Sequence, residues 1–251
     1  MENFTIKTPQ EIKVLKEGGK ILARIIKELA QAAQVGVSTL DLENLAQKLI
    51  KKAGVKPSFQ GFGSPPFPAA ICASNNEAIV HGIPNKEKLK DGDLLGIDMG
   101  IWHKGLCTDM AVTVGIGEIS KESKKLLEAT KKSLQLAISQ VAPGKTLGDL
   151  GFAVQSYAES RGFGVVRELV GHGVGYEVHE PPQVPNFGKP GQGLVLEAGM
   201  VLAIEPMLTM GDYRIEVMDN SWDIVTKDRS LAAHFEHTIA VTKKGVEILT
   251  K

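Results

Sequence analysis

Apolar residues along this chain alternate between a helical and a strand period, and the same succession occurs twice. From Thr8 the positions Ile12, Leu15, Ile21, Leu22, Ile25, Ile26 and Leu29 form one helical stripe that runs to about Ala33. Thr8-Pro9-Gln10-Glu11 opens it with an N-cap, a proline at the first helical position and a capping-box glutamate. Gly18-Gly19 weakens the stripe locally or lets something pack closely against it. Ser38-Thr39-Leu40-Asp41 starts a second helix, with Leu42, Leu45, Ala46 and Leu49 on one face and Gly54 closing it. Pro57–Ala70, with Phe59, Phe62 and Phe67, is too irregular for an element and too apolar for an idle linker. It either lines a pocket or covers core. Ile71–Val80 reads as a strand that enters His81-Gly82-Ile83-Pro84.

Asp93–Gly115 reads as a β-hairpin, its apolar runs Leu94–Met99 and Met110–Val114 flanking the polar tip Trp102-His103-Lys104-Gly105. A turn centred on His103-Lys104 would set Asp98 directly opposite Asp109 and leave His103 in solvent. Like charges in directly opposed positions destabilise a sheet, and a charge among apolar neighbours must be paired or bind metal. Either both acids lie on a solvated face or are separated by a bulge, or they are two oxygen ligands that need others from elsewhere.

The second half supplies them. A helix from about Lys121 to Val141 ends at Pro143-Gly144, and Thr146-Leu147-Gly148-Asp149 caps another that runs to Arg161-Gly162. Beyond it YEVHEPP (176–182) echoes AIVHGIP (78–84), AGMVLAIEPM (198–207) echoes DGDLLGIDMG (91–100), and HFEHTIAVTKKG (234–245) echoes CTDMAVTVGIG (107–117). The overlay pairs His81 with His179, Asp98 with Glu205 and Asp109 with Glu236. This predicts an α+β fold of pseudo-twofold, duplicated α-α-β-β-β halves, about 8–118 and 119–251, in one domain spanning 1–251. A central antiparallel sheet would lie inside with helices on its outer face.

Composition changes this picture little. Lys+Arg and Asp+Glu balance at 29 each, so no excess charge steers the chain to nucleic acid or an anionic membrane surface. There is no apolar leader and no run of 18 apolar residues. The two cysteines, Cys72 and Cys107, then read as reduced thiols in a cytoplasmic protein.

Four symmetrically placed acids, with no matching buried Lys or Arg nearby in sequence, would repel and take up protons unless a cation neutralised them. With an imidazole they make an oxygen-rich site suited to two divalent ions, Mn²⁺, Fe²⁺ or Co²⁺, with Zn²⁺ possible. Among the six histidines, His172 in Gly171-His172-Gly173-Val174-Gly175 fits a ligand, the glycines allowing close backbone approach. His81 and His179, at equivalent ends of the halves, fit substrate handling. His234 could share the face of Glu236, and His237 should point to the other side of its strand. Gly-x-Ser-x-Gly, P-loop and His-Glu-x-x-His motifs are absent from the sequence.

HGIP (81–84), GDLLGIDMG (92–100), Asp109, GHGVG (171–175), VHEPPQVPNFGKPG (178–191), GMVLAIEPM (199–207) and KDRSLAAHFEHT (227–238) together resemble the type I methionine aminopeptidases of the pita-bread (creatinase/aminopeptidase) fold. The resemblance implies that Asp98, Asp109, His172, Glu205 and Glu236 ligate two metal ions, with Asp109 and Glu236 bridging. It also implies catalytic and substrate contacts by His81 and His179, a proton-accepting Glu205, and a methionine socket that includes Cys72 and Trp222. The implied reaction removes the initiator methionine from nascent chains with a small second residue, through a water activated between the ions. The implied partners are N-terminal peptides of nascent proteins, with the ribosome a further candidate and a monomer the implied state; neither nucleic acid nor membrane is bound directly. Three features depart from the family pattern. Val178 stands where an aromatic is common, so the resemblance does not fix the shape of the socket; Tyr176-Glu177 are unusual; His234 replaces a common Gln. Only 25 residues separate His179 from Glu205, too few for the helical insertion of the type II enzymes, and no zinc-finger region precedes the catalytic unit. The alternatives are a proline-specific pita-bread aminopeptidase or dipeptidase, which usually carries an extra N-terminal domain, and a non-catalytic peptide-binding member, which would be expected to have lost ligands.

Overall fold

The capping boxes set the helix starts. In the computed structural model, which describes residues 4–251, the Thr8 hydroxyl accepts from the Glu11 amide and Glu11 accepts from the Thr8 amide. Helix α1 (Pro9–Ala32) begins there. Ser38 and Asp41 repeat the device for α2 (Thr39–Ala53), which stops at Gly54 in the left-handed conformation. Helix α3 (Lys121–Ser139) is capped by Ser120, and α4 (Leu147–Glu159) by the Thr146–Asp149 box. Among the described residues no helix is long and apolar enough to cross a membrane.

The first-half strands are β1 (Lys56–Pro57), β2 (Cys72–Asn75), β3 (Ala78–Val80), β4 (Leu94–His103) and β5 (Leu106–Gly115). The second half contributes β6 (Gly164–Val165), β7 (Gly171–Gly173), β8 (Glu180–Val184), β9 (Val201–Ile204) and β10 (Met207–Thr209). It continues with β11 (Ile215–Val217), β12 (Ile224–Thr226), β13 (Ala232–His234), β14 (His237–Thr242) and β15 (Gly245–Ile248). The predicted strand over 71–80 is two strands. Asn76 turns the chain at φ 54, and its side chain donates to Asp93 and accepts from the Leu94 amide. Strand β2 then pairs with β4, while β3 pairs with β12.

The central hairpin forms with a different register. Its loop is Lys104-Gly105, both with positive φ (50 and 83), as a type I′ turn requires. The glycine takes the second left-handed position at no steric cost, so the turn slides one residue past His103-Lys104. Asp98 therefore faces Ala111, and Asp109 faces Gly100. The two acids are diagonal neighbours on one face, not directly opposed. His103 is half-buried rather than free in solvent, because α1 crosses the hairpin at Gly18, where a Cβ would lie 3.1 Å from that of His103.

Leu95, Ile97, Met99, Ile101 and Met110 pack against α1 and α2; Leu202, Ile204, Ile239 and Val241 pack against α3 and α4. Each fully buried side chain of this size contributes about 1.5–3 kcal/mol, which fixes the strand faces. The expected central sheet is two antiparallel sheets, one joining β1, β4, β2 and β5, the other ordered β15-β14-β9-β7-β8. Side chains stitch them together where β5 meets β14. Thr238 Oγ1 donates to the Asp109 carbonyl (2.7 Å) and accepts from its amide (2.8 Å), and the Glu236 amide donates to the Ala111 carbonyl (2.9 Å). Two three-stranded sheets, β13-β10-β6 and β11-β12-β3, complete the fold.

Candidate metal centre and active-site cavity

The alternation that turns Ile97 and Met99 to the helices sends Asp98 to the other face, and the parity of β14 puts Glu236 there too. Asp109, His172 and Glu236 each bring a ligand atom within 4.8 Å of the others. Glu205 joins them just past β9, with Oε1 3.4 Å from His172 Nε2 and Oε2 3.4 Å from His234 Nε2. Asp98 lies beside Asp109 across the hairpin. All five line one cavity of about 760 Å³, as do His81, His179, Cys72 and Trp222. The nine sequence-predicted site residues are thus brought together.

Buried acids outside this cluster are saturated with donors. Glu43 accepts from the amides of Ala70 and Ile71 and from Gln47, and Glu180 pairs with Lys7. The clustered acids are not. Asp98 Oδ1 and Glu236 Oε1 are buried with no hydrogen-bond partner among the described residues. Burial pushes all four carboxyls well above the ordinary carboxylate range, and for Asp98, Asp109 and Glu236 the neighbouring acids push further. A divalent cation would remove both penalties at once.

The glycines around His172 are imposed by packing. A Cβ at Gly171 would lie 2.3 Å from the Ala203 carbonyl oxygen, and one at Gly173 would lie 2.4 Å from that of Pro181. The His172 ring Nδ1 donates to the Gly173 carbonyl at 2.9 Å, which leaves the Nε2 lone pair for the cavity. Burial holds this imidazole neutral, its pKa lowered to about 3. His179 sits beside it, ring centroids 4.4 Å apart, and meets Phe62 edge-on at 5.2 Å. His81 adopts φ 60, packs edge-on to Trp222 at 5.9 Å, and is lowered by burial to about 4.

The other wall is apolar. Phe59, Phe62, Phe67, Cys72, Val80, Met207 and Trp222 line it, so the aromatic loop does form a pocket. Phe67 and Trp222 meet edge-to-face at 5.1 Å, and Gly63 makes room for the indole, since a Cβ there would lie 2.5 Å from Trp222 Cη2. Burial, then the charges of Asp98 and Asp109, push the Cys72 thiol up, so it serves as neutral wall. The sequence profile of metallopeptidase family M24 matches residues 13–243.

The chain belongs to metallopeptidase family M24.

Its relatives there include the methionine aminopeptidase of Clostridium acetobutylicum, 47% identical over 98% of both chains. Methionine aminopeptidase 1 of Bacillus subtilis is 45% identical, also over 98% of both. The crystal structure of Thermotoga maritima methionine aminopeptidase superposes with a TM-score of 0.96 at 46% identity, covering 99% of this chain and 100% of that one. The prolidase of Pyrococcus horikoshii shares the fold alone, with a TM-score of 0.77 at 24% identity, and this chain spans 63% of its length. The fold is the pita-bread fold.

Val178 is buried with Val174, Val201 and Leu15 and does not line the cavity. The buried lysine Lys7, distant from the clustered acids in sequence, pairs with Glu180 and leaves them unneutralised. Sequence reading also passes over Glu43, Glu168, Gln183 and Asp223. Glu168 and Gln183 line the cavity, and Asp223 accepts from the Ile83 amide at 2.9 Å, tying the Trp222 turn to the His81 segment. None lies in an apolar strand with a counterpart in the other half, the pattern that marked the clustered acids. His234 is buried against Glu205, on the side expected, while His237 turns away to Thr250 Oγ1 at 3.0 Å.

Proposed function

We propose that this chain is a metal-dependent methionine aminopeptidase, acting in the cytoplasm on nascent polypeptides whose second residue is small. The carrying observation is the buried cluster of four acids and one imidazole with orphaned carboxylate oxygens beside an apolar wall. Asp98, Asp109, His172, Glu205 and Glu236 fit two divalent ions, which four carboxylates neutralise; oxygen donors with one nitrogen suit Mn²⁺, Fe²⁺ or Co²⁺, and Zn²⁺ can also bind. When bound, such ions supply Lewis acidity and a water of lowered pKa.

The chain's own groups do the rest. Asp109 and Glu236, whose ligand atoms approach each other and that of His172 within 4.8 Å, would hold both ions in common, and Glu205 would accept the proton of the attacking water. His179 donates to the developing oxyanion, and His81 contacts the scissile amide. Phe59, Phe62, Phe67, Cys72 and Trp222 receive the methionine side chain. Three of the four core clusters draw on both halves, one of them joining Leu15 and Phe67 to Val174 and Val201, which supports a single domain over 1–251. The partners in this reading are free N-terminal peptides, presented by ribosomes or released from them, and the enzyme works as a monomer.

The test is a peptide panel on metal-stripped protein with Mn²⁺, Fe²⁺, Co²⁺ or Zn²⁺ restored singly. Release of methionine from Met-Ala-Ser with at least one ion, and none from the stripped protein, is the expected result. Cleavage of Xaa-Pro peptides in its place would establish the proline-specific alternative. No turnover of either with a metal-loaded site would establish a binding protein.

A further inference from the structure

His179 sits in a short segment whose anchoring is unusual. The next residue, Glu180, carries a carboxylate buried to 4% side-chain exposure, and its partner Lys7 is buried to 1%. Lys7 Nζ donates to Glu180 Oε2 at 2.6 Å, and the Thr5 hydroxyl donates to the same oxygen. The other oxygen, Oε1, accepts from the amides of Tyr176 and Glu177, so the carboxylate closes the 176–180 segment on itself. The segment is held from outside at two further points. Tyr176 Oη donates to Glu11 Oε1 at 2.7 Å, and the Cys107 amide donates to the Gly175 carbonyl at 2.7 Å, two residues before Asp109. The strap bearing Lys7 is itself fixed, its amide donating to the Gly199 carbonyl at 2.8 Å. Gly175 leaves space for the lysine stem, since a Cβ there would lie 2.6 Å from Lys7 Cε.

A buried ion pair gives little net stability over an apolar substitute of the same volume. Its distinctive property is direction, because a charge-assisted bond with four donors on one carboxylate fixes the backbone that bears it. Adjacent Cα atoms are about 3.8 Å apart, so what fixes Glu180 fixes His179. The imidazole is then held between Phe62 and His172, facing the cavity.

We propose that Lys7 and Glu180 are positioning residues for His179: the N-terminal strap reaches across to the second half and locks the segment from which that imidazole meets the substrate. This rests on the substrate-contacting role given to His179 above. The metal-restored enzyme decides it, with kcat, KM and bound metal measured for Lys7→Met, Glu180→Gln and His179→Ala, and for Lys7→Met combined with His179→Ala. Misplacing a catalytic group by about 1 Å costs up to roughly 100-fold. Lys7→Met and Glu180→Gln should each lower kcat by about 10–100-fold, with KM changed less than about twofold and bound metal unchanged. Adding Lys7→Met to His179→Ala should cost nothing further, because the residue acts through the imidazole already removed. Equal losses in both backgrounds, or loss of metal, would overturn the proposal and leave the pair a fold element. If Lys7→Met does not fold, Thr5→Val removes one uncharged donor, and the same cycle with a several-fold loss decides. An unchanged kcat in His179→Ala would instead remove the role of His179, and the positioning role with it.

Discussion

Stripping the metal should make the fold lose stability as pH rises above about 6.5. Burial and mutual repulsion raise the carboxyls of Asp98, Asp109, Glu205 and Glu236 in the folded protein, whereas the unfolded chain titrates them near 4. Between those limits the folded state binds more protons than the unfolded one, so stability falls with pH. The buried histidines act with the opposite sign. Their folded pKa values, about 4 for His81 and about 3 for His172 and His234, lie below 6.5, so they cost stability only below that pH and contribute no slope above it. Each proton retained is worth about 1.4 kcal/mol per pH unit. One proton held on average from pH 6.5 to 8.5 therefore amounts to roughly 3 kcal/mol, a fall in Tm on the order of 6–12 °C for a chain of this size. The assay is differential scanning fluorimetry of chelator-treated protein across that range, with and without Co²⁺ or Mn²⁺. A saturating cation should reverse the slope, because it binds the deprotonated acids. Glu236→Gln should raise the Tm of the stripped protein at pH 8 and abolish the stabilisation by cation, since it removes one ligand and one buried acid that folding must either protonate or hold against its neighbours. A stripped-protein Tm that is flat or rising above pH 6.5, or a lower one in Glu236→Gln, would refute the reasoning.

Asp109→Asn should lose metal binding and peptide cleavage together; isothermal titration with Co²⁺ and metal analysis check it, and full loading would remove Asp109 from the ligand set. His179→Ala should lower kcat by about 10²–10³-fold, the scale of losing one oxyanion donor, with bound metal near normal. Trp222→Ala opens the wall against Phe67 and should lower kcat/KM for methionyl peptides by about 10–200-fold, the range for lost apolar pocket contacts. Cys72 and Cys107 are buried thiols pushed well above their usual pKa, so Ellman's reagent should find neither in the folded protein at pH 8 and both after unfolding.

Local rules carried the reading of this chain a long way. Capping boxes at Thr8, Ser38 and Thr146 are closed by backbone contacts three residues away, so sequence alone places those helix starts. Strand alternation set the faces of β4 and β5, and the internal repeat paired Asp98 with Glu205 and Asp109 with Glu236. The flanking glycines marked His172 and the repeat marked His81 and His179, the resemblance assigned their roles, and the fold gathers all of them around one cavity. Register was not determined in the same way. Turns on His103-Lys104 and on Lys104-Gly105 give the same alternation and the same buried face, while they shift the pairing by two residues and differ in which residue meets left-handed geometry. Packing against α1 and the glycine decided it. Nor could local pattern find the Lys7–Glu180 pair, whose partners are 173 residues apart and obey no periodicity. Whether a buried charge is answered by a cation of the chain or left for a metal depends on which distant side chain arrives beside it, and only the folded structure brings those groups together.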